Sequence, residues 1–203
     1  MQKGIANNEN SMKIYLLDIN KNMTDAWQQY FKDIEEVEIV NEYFSAFMGS
    51  HPDVIGIVSP ANSFGLMDGG YDKAIIDYLG PKAQTNVLTI LDSVYNGYQP
   101  VGTCLAVPYS KYVILHTPTM RTPEPIIDYR VIYDCMYSCL LKAKEIRCEA
   151  VVVPAFGGLT GRVPYDTVAK MMYLAYEHLN NPVKEMNWGY ACYIAKSLRE
   201  ANK

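Results

Sequence analysis

Two glycine-rich segments hold the residues best suited to chemistry. The first reads Ser59-Pro60-Ala61-Asn62-Ser63-Phe64-Gly65-Leu66-Met67-Asp68-Gly69-Gly70-Tyr71-Asp72. The second reads Pro154-Ala155-Phe156-Gly157-Gly158-Leu159-Thr160-Gly161-Arg162-Val163-Pro164. Glycine lets the backbone approach a ligand closely and take positive φ. Backbone amides beside a helix start form an anion cradle, with the helix dipole behind it. One glycine pair is more simply a turn. Two such loops in equivalent positions suit a diphosphate. Neither is a Walker A loop, since no Gly-Lys-Ser/Thr follows, and neither has the Gly-x-Gly-x-x-Gly spacing of a dinucleotide fold.

Each loop must sit between a strand and a helix. Short apolar, β-branched runs predict strands at Lys13–Leu17, Val37–Val40, Val54–Val58, Thr103–Val107, Tyr112–His116 and Ala150–Val153. The runs at 54–58 and 150–153 are continuously apolar, as in central strands covered on both faces. Helical periodicity fills the intervals. It predicts helices over Met23–Ile34, with Asn20 or Asn22 near the start, over Asp72–Leu79, and from Pro81 to about Val94. Ile127, Val131, Cys135, Cys139 and Ala143 recur every fourth residue and give a long helix one buried stripe. Further helices are expected over Asp166–Leu179, ended by Asn180-Asn181-Pro182, and over Tyr190–Arg199. Alternating strands and helices predict an α/β fold with helices on both faces of a mostly parallel or mixed sheet. In such a fold, ligands bind beyond the carboxyl ends of the strands, where both loops fall.

Composition removes several function classes. The 203 residues suit one domain: residues 1–11 as a polar, disordered tail or expression remnant, and residues 12–203 as the folded unit. A net charge of −4, without a basic run, gives no footprint for a nucleic-acid polymer. No apolar stretch approaches the ~20 residues that span a bilayer, and the first residues lack a signal-peptide core. A cytoplasmic protein is the expectation. The five cysteines form no Cys-x-x-Cys pair and read as small core residues in a reduced compartment. No metal site or cofactor is expected.

At this point the sequence resembles the macro domain family. Val58-Ser59-Pro60-Ala61-Asn62-Ser63 is similar to the family's Val-Asn-Ala/Pro-Ala-Asn-Ser, and Asp68-Gly69-Gly70-Tyr71-Asp72-Lys73-Ala74-Ile75 to its Gly-Gly-Gly-Val-Asp-x-Ala-Ile. Residues 154–164 resemble the second family loop. Val101 to Ala106 and Tyr112 to His116 resemble two of its strands, and Asp18-Ile19 resembles its adenine site. The resemblance runs in order over roughly residues 13–200. It implies a three-layer α/β/α macro domain with a central mixed sheet of about six strands.

The resemblance also implies roles. Asp18 would accept a hydrogen bond from the adenine amine beside the Ile19 backbone, or else cap a helix. Backbone groups of Gly69, Gly70 and Tyr71, and of Gly157, Gly158, Leu159, Thr160 and Gly161, would hold the diphosphate, with Ala61 beside them. Asn62 would bond the distal ribose, or else brace its own loop. Asp72 would orient or activate water there, and it also suits the first turn of a helix. Phe156, Trp188 or Tyr190 would stack on adenine or shield the ribose. Arg121 would neutralise a phosphate or bond loop carbonyls. His116 reads as a packed core residue and Arg162 as a surface one.

Three departures bear on activity. Ser59 replaces an asparagine, Asp68 stands where many members have glycine, and Leu159 replaces a glycine. They suggest a divergent branch. The pairing of Ser59 to Gly70 with Pro118-Thr119-Met120-Arg121 and Gly157 to Pro164 resembles the stand-alone phage and microbial branch and, more loosely, the ADP-ribose 1″-phosphate phosphatases. Two functions follow. One is hydrolysis at the distal ribose, of a 1″-phosphate or an ADP-ribosyl ester, with Asn62 and Asp72 as the catalytic pair. The other is binding of ADP-ribose, a related NAD-derived nucleotide or an ADP-ribosylated protein without turnover.

Overall fold

The computed structural model describes residues 11–183 and 185–202, so residues 1–10 of the expected tail lie outside the described residues. Strands β1 (Lys13–Leu17), β2 (Val37–Val40), β3 (Gly56–Ser59), β4 (Leu105–Tyr109), β5 (Tyr112–His116) and β6 (Ala150–Val153) form one sheet in the order β2-β1-β6-β3-β5-β4. Every neighbouring pair is parallel except the β4–β5 hairpin. The sheet is therefore mixed and six-stranded, as the apolar runs indicate. All residues of β3 and β6 are buried, which is what their continuous apolar character requires.

Seven helices are described: α1 (Lys21–Phe31), α2 (Phe44–Ser50), α3 (Gly70–Leu79), α4 (Lys82–Tyr95), α5 (Arg130–Glu145), α6 (Tyr165–Asn180) and α7 (Trp188–Ala201). Alternation of side chains along each strand splits the core in two. Val151, Val153 and Val58 pack with Trp27, Phe31, Cys139 and Met172 from α1, α5 and α6. Val152 and Ile57 pack with Phe47, Ile75, Val87 and Leu91 from α2, α3 and α4. The result is the expected α/β/α sandwich.

The differences from the sequence reading are local. Helix α2 has only seven residues and no side-chain cap, so its pattern is too short to register. The strand expected at 54–58 begins at Gly56, and the one expected at 103–107 begins at Leu105, because Thr103 folds back to the Pro100 carbonyl. Ile127 does not join the buried stripe: it is 91% exposed, before α5 begins. Cys135, Cys139 and Cys148 are core residues, Cys104 is partly buried, and Cys192 on α7 is exposed.

Candidate functional site

Because β6 lies between β1 and β3, the segments leaving these three strands converge at one sheet edge. They enclose a cleft of about 580 Å³. Asp18, Ile19, Ala61, Asn62, Gly69, Gly70, Tyr71, Asp72, Gly157, Gly158, Leu159, Thr160 and Gly161 all line it. Sequence reasoning therefore gathers residues more than a hundred positions apart into one place.

The first loop ends at a helix start. Gly70 takes φ of +55°, a conformation that favours glycine. The first α3 amide with a helical partner is that of Lys73, bonded to the Gly69 carbonyl at 3.1 Å. The amides of Gly70, Tyr71 and Asp72 are the orphan donors of the helix, at its positive end. In the second loop three carbonyls accept backbone hydrogen bonds, two from the loop itself and one from Ile126. Gly157 O accepts from Val163 N–H, Leu159 O from Arg162 N–H, and Gly161 O from Ile126 N–H at 2.9–3.1 Å. The amides of Gly158, Leu159, Thr160 and Gly161 have no partner among the described residues. Leu159 causes no backbone strain, since Gly157 and Arg162 take the left-handed positions. Its side chain is 75% exposed and reaches toward Gly70, which brings the two loops together.

The carboxylates differ in environment. Asp18 accepts from Asn20 N–H at 2.7 Å, and burial raises its pKa. The cap of α1 is Asn20, whose side chain accepts from Asn22 N–H, so the helix does not need Asp18 as its cap. Asp72 is only 7% exposed and accepts from the Ser59 hydroxyl at 2.7 Å. Burial pushes its pKa up to about 7, the Ser59 hydrogen bond opposes this, and the nearby Asp68 charge adds to it. A carboxyl poised there exchanges protons near neutral pH, as a general acid or base must. Glu42 and Asp68 also line the cleft. Among the described residues no Lys, Arg or His does, so an anion must be held by backbone amides.

Several readings change. The Asn62 amide is tied into its own loop: it accepts from Phe64 N–H at 3.1 Å and donates to the Leu66 carbonyl at 2.6 Å. Phe156 does not line the cleft, because its ring is wholly buried in the core beneath α5 and α6. Trp188, 85% exposed, and Tyr190, packed on His178, belong to α7 and lie outside the cleft. Arg121 bonds the Tyr98 hydroxyl at 2.9 Å, and neither it nor Arg162 lines the cleft. His116 is buried against Gln99, with its pKa pushed down to about 4 by burial, as a core histidine. The aromatic residues that do line the cleft are Tyr43, Phe44, Tyr71 and Tyr165. Tyr165 follows Pro164 at the start of α6, and its hydroxyl accepts from the Asn20 amide at 2.7 Å. Its place directly after a glycine-rich loop was a usable sequence signal. Tyr43 and Phe44 arrive with α2 and carried none.

Residues 58–172 match the family model described as Macro domain. Among solved structures, the chain is similar to the macrodomain of Mycobacterium tuberculosis DarG, with 18% identity over 63% of this chain and 84% of that one, at a TM-score of 0.54. The Oceanobacillus iheyensis macrodomain solved with ADP gives 18% identity over 73% and 84%, at 0.52. The macrodomain of Thermus aquaticus DarG gives 17% over 62% and 83%, at 0.52. At these identities the likeness establishes the fold.

Proposed function

Since the chain belongs to the macro domain family, we propose that its cleft binds ADP-ribose and that the protein hydrolyses a bond at the distal ribose. The observation that carries the catalytic half is Asp72, a buried carboxyl poised near pH 7 at the cleft wall. The binding half rests on two facing sets of free amides, one at the N-terminus of α3 and one in the loop after β6. They suit the two phosphates of an ADP moiety. The Oceanobacillus macrodomain, solved with ADP, is consistent with this.

Charge favours the ester over the 1″-phosphate. Four carboxylates and no cationic side chain line the cleft among the described residues. A second phosphate at the distal ribose adds negative charge that nothing there neutralises, whereas an acyl group linked to C1″ adds none. Asp72 then takes a proton from water as the oxygen attacks C1″. The C1″–O bond breaks and the acyl group leaves as a carboxylate. The loop amides hold the diphosphate and fix the ribose in place.

One observation favours the second reading, binding without turnover. The Asn62 amide is occupied by its own loop, so it orients a ribose only if that loop rearranges. Incubation with Asp/Glu-ADP-ribosylated protein and with ADP-ribose 1″-phosphate, beside Asp72→Ala, decides between them. Release of ADP-ribose from the protein, lost in the variant, supports hydrolysis. Saturable binding with no release of either product leaves the protein a binder.

The adenine end gives a separate prediction. Asp18→Ala should weaken ADP-ribose binding by about tenfold or more, the loss expected for a hydrogen bond to a charged acceptor. The fold should hold, because Asn20 caps α1. An ADP-ribose analogue carrying unsubstituted purine lacks the exocyclic amine and puts no other polar group at that carbon. Wild type and Asp18→Ala should bind it equally weakly, and additive losses would place the adenine elsewhere.

A further inference from the structure

Ser59 stands where the family pattern has asparagine. The geometry gives it a purpose: we infer that Ser59 is a positioning residue that aims Asp72 and keeps it ionisable under working conditions. This rests on the reading of Asp72 as the group that acts on water.

Ser59 is the last residue of β3 and is fully buried. Its backbone is pinned, because Thr117 N–H donates to its carbonyl at 2.9 Å and the register pairs it with His116 of β5. Its hydroxyl has one proton, and the 2.7 Å contact commits that proton to Asp72 Oδ1. The contact spans thirteen residues and ties the end of a central strand to the first turn of α3. It fixes the carboxyl rotamer and leaves Oδ2 as the oxygen free to meet water.

The surroundings of Asp72 explain why this donor matters. Asp68, from the loop before α3, is the charged neighbour that works against ionisation. Tyr71, the preceding residue, has a buried hydroxyl coupled to Asp18 and Asp72, and burial raises its pKa well above 10. From β5, His116 is neutral near pH 7, with its pKa pushed down to about 4. Its Nδ1 carries the hydrogen shared with Gln99 Oε1, because Gln99 Nε2 already donates to the Thr103 and His116 carbonyls. No Lys or Arg is among the groups that perturb Asp72. Ser59 is the one side-chain donor to its carboxylate among the described residues. A hydrogen bond to the ionised form lowers an acid's pKa, so loss of Ser59 leaves desolvation unopposed.

The test follows the Asp72 carboxyl directly, by carbon NMR titration of protein labelled at aspartate carboxyl carbons, with Asp72→Asn to assign the signal. In Ser59→Ala the midpoint should rise by about one pH unit or more. Ser59→Thr, which keeps the hydroxyl, should return it toward wild type. Turnover of ADP-ribosylated protein by Ser59→Ala should fall about fivefold or more at pH 7, as the ionised fraction of Asp72 drops. KM should hold, and the rising limb of the pH profile should move alkaline by the same interval. If Ser59→Ala does not fold, Ser59→Cys supplies the measurement, since it keeps the size and donates weakly. An Asp72 midpoint that stays put in a folded Ser59 variant overturns the inference. A midpoint that moves in a protein without turnover upholds the tie between Ser59 and Asp72 while removing the hydrolase reading.

Discussion

Asp72→Asn should raise the melting temperature above pH 7 and lower turnover at least a hundredfold. Burial moves the Asp72 carboxyl from its ordinary value of 3.8 to about 7 in the folded protein. Between those two values the native state holds a proton that the unfolded chain releases. Stability therefore falls as pH rises through this window, and the full cost is present above about 7. Below 3.8 both states are protonated and the cost vanishes. A displacement of that size corresponds to roughly 4 kcal/mol. Asparagine removes the charge and can still accept from Ser59, but its amide protons gain no assured partner. A net gain of about 2 kcal/mol is expected at pH 8, or ~5 °C in Tm. The advantage should fade as pH falls and be absent near pH 3.5. The same change removes the proton acceptor, which in general-base catalysis contributes 10²–10⁴-fold. Melting curves at pH 8 and pH 3.5, with a turnover assay, check both halves. A variant that is less stable at pH 8, or that keeps wild-type turnover, contradicts this account of Asp72.

Gly161→Ala has the second large expected effect, on ligand binding. A Cβ at this position would lie 2.6 Å from the Gly157 carbonyl oxygen and 2.7 Å from Ile126 Cδ1. The isoleucine tip can turn away, but the carbonyl cannot. It is held by Val163 N–H, and Gly157 itself sits at φ +75°. The Gly161 carbonyl is fixed in turn by Ile126 N–H. The loop must therefore shift as a body, at a cost of about 1–3 kcal/mol typical of overpacking. Its free amides move with it. ADP-ribose affinity should fall at least tenfold, the response expected when a cradle loses its preorganisation. Gly49→Ala, in α2 and outside the cleft, is the matched control, because its Cβ would meet nothing within 4 Å. Chemical denaturation and calorimetry on both variants separate the cases. Wild-type affinity in Gly161→Ala would show that the loop after β6 does not bind the ligand.

The legible parts of this protein were those whose signal is local. Buried central strands announce themselves as Val151-Val152-Val153 and Ile57-Val58, so the sheet and its two following loops could be read directly. Periodic helices such as α5 and α6 were equally plain, with errors only at their ends. Asp72 was visible because it sits at a helix start beside glycines. What decides its chemistry was not, since burial and the Ser59 hydroxyl are tertiary facts. Ser59 looked like a loss when compared by position, and only the contact to Asp72 gives it a purpose. Asn62 shows the reverse: its position suggested a ribose ligand, while its amide closes a turn. Phe156 follows a buried strand on the side of Val151 and Val153, so it enters the core rather than the cleft. Tyr43 and Phe44 depend on a seven-residue helix whose pattern is too short to recognise.

If one cleft, built from two amide cradles and a buried carboxyl, holds ADP-ribose, isothermal titration of ADP-ribose into the wild-type protein should show one saturable site, and Gly161→Ala should bind at least tenfold more weakly. An absence of heat, together with no thermal shift at millimolar ADP-ribose, would rule this cleft out as an ADP-ribose site.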